Sequence, residues 1–119
     1  MDDLTKDEIR ELWKLCGFRL ATQQEYSPDS YPRPKEKWWG YLYPTGEVKW
    51  YFPSLTLDNL FRYATPLVLE KGYWIEIQVD AKKTDVWMNE HTKDVPEFFI
   101  VNKDPAQALA RACLETLRK

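Results

Sequence analysis

The sequence predicts a single α+β domain in which a mainly antiparallel, twisted sheet of about four to six strands is flanked by helices. Apolar residues recur at helical spacing near both ends of the chain and once in the middle. Between these segments lie stretches rich in aromatic and β-branched residues, separated by short turn sequences. Short turns join antiparallel neighbours, so the sheet is predicted to be mainly antiparallel. The predicted order of elements along the chain is α-β-β-α-β-β-(β)-α.

Size and composition favour a globular protein. The chain has 119 residues, of which 44% are hydrophobic and 30% charged, so it can bury a continuous core in one domain spanning residues 1–119. Its net charge of −2 gives no general affinity for nucleic acid or anionic lipid. The acidic start does not resemble a signal peptide, and no apolar run reaches the ~20 residues of a membrane span, so we expect a cytoplasmic protein.

Both terminal helices begin with recognisable caps. Thr5 and Glu8 form a capping box ahead of a helix at about residues 6–16, and Gly17 suits its C-terminal end. At the other end of the chain, Asp104 is a good N-cap and Pro105 fits the first helical position. The last helix has one apolar stripe, made of Ala106, Leu109, Ala110, Cys113, Leu114 and Leu117.

A hairpin is predicted in the first half of the chain. Residues 38–43 and 48–52 are aromatic and β-rich, and the sequence Pro-Thr-Gly-Glu at 44–47 between them is typical of a turn. The first of these strands is apolar on both faces, as expected for a central strand. A short strand within residues 18–26 precedes the hairpin, and 27–37 is a proline-rich loop.

The middle helix is predicted to be irregular. Thr56 is its N-cap, and Pro66 removes one backbone amide and crowds the preceding turn, so we expect a bend or a split near Thr65. The apolar residues that keep a roughly helical spacing are Leu57, Leu60, Phe61, Ala64, Val68 and Leu69. After Gly72, residues 73–80 alternate between apolar and polar, which predicts an antiparallel strand with one core face, and strands at 86–90 and 98–101 follow.

Several stretches of the chain are similar to a known family. They are residues 51–58 (Tyr-Phe-Pro-Ser-Leu-Thr-Leu-Asp), residues 69–76 (Leu-Glu-Lys-Gly-Tyr-Trp-Ile-Glu) and residues 104–114 (Asp-Pro-Ala-Gln-Ala-Leu-Ala-Arg-Ala-Cys-Leu). Together they resemble the phage α-β-α (ABA) sandwich domain family, small proteins of phages and prophages. The resemblance implies no established activity, catalytic residue or cofactor. Pro66 and the proline-rich loop at 27–37 depart from the family pattern.

Reactive side chains do not converge in the sequence. His91 is the only histidine and stands in a polar turn, where a surface residue is expected. Asp80 with Asp85, or Glu90 with Asp94, could flank a divalent cation, but carboxylates in such turns are usually solvated. No paired cysteine or histidine spacing suits zinc, and the glycines do not form a phosphate loop. We therefore expect no enzyme activity, no metal and no cofactor.

The two cysteines, Cys16 and Cys113, both fall on the apolar side of predicted helices. They could pair if the two helices are neighbours. The favoured interpretation is two reduced thiols in the core of a cytosolic protein.

One candidate binding segment combines basic and aromatic residues, a composition that can follow a phosphate backbone and stack bases. Its residues are Tyr31, Arg33, Lys35, Lys37, Trp38 and Trp39, with Lys49 and Tyr51 as an extension on the next strand. The alternative, which we favour, is a solvated, proline-stiffened loop leading into a core strand. The acidic balance of the chain also disfavours nucleic acid.

A second candidate surface contains Trp74 and Trp87, which fall on the otherwise polar faces of their strands. Either they anchor a partner protein, or a helix covers them, or the two rings pair across strands. We expect a non-catalytic protein-binding module, an accessory protein of a phage or prophage whose partner is a host or phage protein. The alternative is a small nucleic-acid-binding module that uses residues 31–39.

Overall fold

The computed structural model describes residues 3–20, 41–49, 52–90 and 98–119. The α+β class is confirmed, because helices accompany antiparallel strands in these ranges. In chain order the elements are α1 (Lys6–Leu15), β1 (Arg19–Leu20), β2 (Tyr41–Leu42), β3 (Val48–Lys49), the middle helix α2 (residues 57–70), β4 (Tyr73–Val79), β5 (Thr84–Glu90), β6 (Phe98–Asn102) and α3 (Pro105–Leu117).

The strands of the described ranges form two three-stranded antiparallel sheets, with orders β1-β2-β3 and β4-β5-β6. The single sheet of about four to six strands is therefore not confirmed. Pairs in the first sheet are only two residues long. In the second sheet, β4 pairs with β5 along its whole length, from Tyr73 opposite Glu90 to Val79 opposite Thr84. The second sheet is therefore the larger platform for the helices.

The predicted hairpin turn at 44–47 is confirmed. The Tyr43 N–H donates to the Glu47 carbonyl at 2.8 Å, and the Gly46 N–H donates to the Tyr43 carbonyl at 2.9 Å. Gly46 has a φ of +94°, a conformation that side chains with a Cβ rarely adopt. As expected, β2 is the central strand of its sheet.

The predicted caps of the terminal helices are also confirmed. The Glu8 N–H donates to the Thr5 hydroxyl at 3.2 Å, and the Thr5 N–H donates to the Glu8 carboxylate at 3.0 Å. At α3, the Asp104 carboxylate accepts from the Ala106 N–H at 2.9 Å. Because these bonds satisfy amides that have no partner inside the helix, each cap selects the residue where its helix begins.

The middle helix α2 is irregular near Thr65, where a π-helix ends and an α-helix begins. An α-turn at Leu57–Asn59 leads into the π-helix Leu60–Ala64, and the α-helix resumes over Thr65–Glu70. The Thr65 N–H donates to the Leu60 carbonyl, five residues back. Pro66 has no N–H to continue this pattern, and the Thr65 hydroxyl donates to the Phe61 carbonyl at 3.2 Å instead.

The core lies between the helices and the inner face of the second sheet. Helix α3 packs on β5 and β6, α2 packs on β4 and α3, and α1 packs on α3. Trp13 contacts Phe18 edge to face, with ring centroids 5.5 Å apart. The largest fully buried apolar side chains are Trp13, Phe18, Leu12, Leu60, Met88, Leu109 and Leu114, and each contributes about 1.5–3 kcal/mol by leaving water.

One residue of the predicted core face of β4 is exposed. Tyr73 is buried and Ile75 and Ile77 pack against the core, as the alternation predicted, but Val79 is 60% exposed. Val79 is the last residue of the strand, next to the β4–β5 turn. The alternation of apolar and polar residues therefore predicted the correct face of β4, and the position of Val79 at the end of the strand explains its exposure.

Candidate interaction surfaces

The two tryptophans of the second sheet share its outer face. Trp74 lies opposite Asn89 and Trp87 lies opposite Glu76, so the two rings start from diagonal positions on neighbouring strands. Both side chains are half-buried. Asn89 on the same face is completely buried, so the face is covered at that point. A partner-binding role for Trp74 and Trp87 stays a prediction.

The basic-aromatic segment lies outside the described residues. This applies to Tyr31, Arg33, Lys35, Lys37, Trp38 and Trp39, and to Tyr51. Lys49, the other proposed extension, is described. Its Nζ lies 5.1 Å from the centroid of the Tyr43 ring and 3.9 Å from the Glu47 carboxylate, so its charge is engaged within its own hairpin.

Helix α2 carries large apolar side chains on its surface. Every fourth residue from Leu60, through Ala64, to Val68 is fully buried. The adjacent row, here called the apolar row, consists of Leu57, Phe61, Thr65 and Leu69. In this row Thr65 is buried, whereas Leu57, Phe61 and Leu69 are 37%, 52% and 54% exposed.

The π-helix explains why these rows keep a spacing of four residues. An α-helix has ~3.6 residues per turn, so rows of every fourth residue drift around its axis. A π turn closes its hydrogen bond one residue later and holds more residues, which offsets the drift along α2. Spacing alone groups Leu57, Phe61 and Leu69 with the buried side chains. In the sequence, the feature that could have distinguished these three residues from the buried ones is their own four-residue spacing next to Pro66.

A charged row follows the apolar row. It consists of Asp58, Arg62, Pro66 and Glu70, and all four side chains are exposed. The guanidinium carbon of Arg62 lies 5.4 Å from the centroid of the Tyr63 ring. The surface of α2 therefore presents large apolar side chains beside charges in the order acidic, basic, acidic.

The carboxylates considered as metal ligands are engaged in the fold where they are described. Asp80 Oδ1 accepts from the backbone N–H groups of Lys82 and Lys83, and these hydrogen bonds lower the pKa of the Asp80 carboxyl. Asp85 Oδ1 lies 3.5 Å from Lys83 Nζ. Across the described ranges, no three His, Cys, Asp or Glu side chains cluster as metal ligands would. His91 and Asp94 lie outside those ranges.

Both cysteines are free and buried. Burial raises the pKa of the Cys16 thiol to about 12, and burial together with the neighbouring Cys16 also raises the pKa of Cys113. The thiolate is the reactive form of cysteine, so these two side chains behave as core residues.

None of the helices in the described ranges is long and apolar enough to span a membrane. No family model matches the chain, and no curated protein or solved structure matches it significantly. Membership in the phage α-β-α sandwich family therefore stays a prediction.

Proposed function

We propose that this chain is a non-catalytic protein-binding module and that the apolar row of α2 is its contact surface. Following the family resemblance, the module is an accessory protein of a phage or prophage and acts in the host cytoplasm. The observation that supports the proposal is the exposure of Phe61 and Leu69, which are 52% and 54% accessible on one row of a helix. Exposed apolar side chains arranged together are typical of contact sites, and aromatic residues often dominate binding energy.

The flanking charges favour a different protein as the partner over a second copy of this chain. In an antiparallel pairing of two copies along α2, Asp58 of one copy would face Glu70 of the other. This arrangement places like charges together, which is destabilising.

The partner that fits this surface is an amphipathic helix. Its apolar positions would contact the apolar row, with basic residues near Asp58 and Glu70 and an acidic residue near Arg62. Such a helix would match both the spacing of the exposed side chains and the order of the charges beside them.

A photo-crosslinking amino acid at position 61 tests this proposal in lysate of infected host cells, with the same group at the exposed position 14 as the control. The captured protein is then purified and its affinity measured for the wild-type chain, for F61S/L69S and for L15S. L15S is the matched control, because Leu15 is an apolar side chain on α1 that is 40% exposed. Thermal unfolding confirms that all the variants fold.

We expect F61S/L69S to weaken binding about tenfold or more, R62E to weaken it as well, and L15S to leave it unchanged. Equal affinity for the wild-type chain and F61S/L69S would refute the role of the apolar row. Self-association of the wild-type chain in sedimentation equilibrium, abolished in F61S/L69S, would instead identify a second copy as the occupant.

The nucleic-acid alternative stays a prediction, because residues 31–39 lie outside the described ranges. Titration of single-stranded and double-stranded oligonucleotides at low salt, followed by Trp fluorescence, tests it. Salt-sensitive binding at micromolar protein would support this alternative, and the absence of any response would remove it.

A further inference from the structure

A cleft of about 630 Å³ opens between the β4–β5 turn and the β6–α3 connection. We propose that this cleft binds a small phosphorylated ligand through the ammonium groups of three lysines. Its polar lining consists of Lys82, Lys83, Lys103, Asp3, Asn102 and Asp104. None of the lining residues belongs to the apolar row of α2, so the proposal does not rest on the proposed protein-binding function.

Hydrogen bonds fix the first wall of the cleft. Asp80 Oδ1 accepts from the Lys82 N–H at 2.7 Å and from the Lys83 N–H at 3.0 Å. The Asp80 N–H in turn donates to the Lys83 carbonyl at 2.9 Å. These hydrogen bonds therefore fix the backbone conformation at the two consecutive lysines.

The second wall is fixed by the side chain of Asn102. Its amide nitrogen donates to Asp3 Oδ1 at 3.1 Å, and its amide oxygen accepts from the Asp104 N–H at 2.9 Å. Lys103 lies between these two anchored residues. A ligand would therefore meet lysines from two rigid turns, which lowers the entropic cost of binding.

The lining holds three lysines against two aspartates, although the chain as a whole has a net charge of −2. Lys83 also pairs with Asp85, which lies outside the lining, at 3.5 Å. One Asp104 oxygen accepts from the Ala106 N–H and Asp3 Oδ1 accepts from Asn102, so both carboxylates have structural partners. In the part of the chain that the structure describes, Lys82 and Lys103 have no carboxylate partner.

The class of ligand follows from this charge and from the volume of the cleft. Lysine binds phosphate as a point charge, whereas three ammonium groups would repel a metal cation. A volume of about 630 Å³ lies in the usual range of small-molecule sites and exceeds what free phosphate needs. Val101, half-buried in the wall, offers an apolar contact for the rest of a phosphate ester such as a nucleotide.

Isothermal titration calorimetry with ADP, pyrophosphate and inorganic phosphate tests this proposal. The variant is K82Q/K103Q and the matched control is K14Q, which removes an exposed lysine of α1 far from the cleft in sequence. We expect ADP to bind the wild-type chain, to bind K82Q/K103Q about tenfold more weakly or worse, and to bind K14Q unchanged. Binding to F61S/L69S should equal that of the wild-type chain.

A comparison of the three probes distinguishes a nucleotide from phosphate groups alone as the ligand. Tighter binding of ADP than of pyrophosphate would support a nucleotide, and equal binding would assign the affinity to the phosphates alone. No heat with any probe at ~1 mM, or equal affinities of K82Q/K103Q and K14Q, would overturn the proposal. So would an oligonucleotide that binds through Lys82 and Lys103 when ADP does not.

Discussion

Replacing Glu8 by glutamine tests whether an ion pair between α1 and α3 stabilises the fold. Glu8 Oε1 accepts from the Thr5 N–H at 3.0 Å, and both carboxylate oxygens accept from the guanidinium of Arg111. The side chains of Arg111 and Glu8 are 19% and 23% exposed. Glutamine can also serve in a capping box, so the substitution removes mainly the charge.

The size of the effect follows from the pKa of Glu8. Hydrogen bonds from Arg111 and from the Thr5 backbone lower this pKa from 4.5 to about 2. Since one pKa unit equals ~1.4 kcal/mol, the upper limit of the contribution at neutral pH is about 3 kcal/mol. Solvent screens a partly exposed pair, and we expect E8Q to lower the free energy of unfolding by about 1–2 kcal/mol at pH 7.

The same shift predicts a pH dependence with a definite sign. The pKa of Glu8 is lower in the folded protein than in the unfolded chain, so its carboxylate stabilises the fold fully above a pH of about 4.5. This contribution is lost as the pH falls towards 2. At pH 3, the difference between the wild-type chain and E8Q should therefore be less than half of its value at pH 7.

Urea unfolding followed by Trp fluorescence at pH 7 and pH 3 measures both effects. The matched control is D7N, which removes the same charge from the same helical turn. The side chain of Asp7 is 94% exposed, and its contact with Arg10 is 3.8 Å long, so we expect a change of at most about 0.5 kcal/mol. A double-mutant cycle with R111M should give a coupling energy of about 1 kcal/mol.

Two results would refute this reasoning. The first is an E8Q variant that is as stable as D7N at pH 7. The second is a loss of stability in E8Q that has the same size at pH 3 and pH 7, because a charge effect must decline when the carboxylate is protonated.

Three further predictions concern the core and α2. T65V replaces the hydroxyl that donates to the Phe61 carbonyl by a methyl group of similar volume and should lower the free energy of unfolding in urea by about 1 kcal/mol; an unchanged free energy of unfolding would show that this hydrogen bond does not stabilise the fold. W13A empties a fully buried site and should cost about 3–5 kcal/mol in the same assay, and a loss below about 1 kcal/mol would contradict its place in the core. Cys16 and Cys113 are buried with raised pKa values, so a thiol reagent should modify them only as the protein unfolds; rapid labelling of the native protein would show that they are accessible.

The local elements of the fold follow from the amino-acid sequence alone. The capping box at Thr5, the Asp104 cap and the glycine turn at Gly46 each depend on bonds between residues a few positions apart. Alternation along 73–80 likewise identified the inner face of β4, because the pleat of a strand sends successive side chains to opposite faces. Such features can be predicted because the interacting groups are neighbours in the chain.

The way in which these elements combine depends on contacts between distant parts of the chain. The division into two sheets, the pairing of Glu8 with Arg111 and the cleft that Lys82 and Lys103 both line join residues far apart in sequence. The surface of α2 was also decided at this level. Pro66 signalled an irregular helix, but the number of residues in the π turn determined that Phe61 faces solvent. A shift of one residue in the hydrogen-bond pattern of a helix leaves little signal in the sequence, yet it rotates a side chain from the core to the surface.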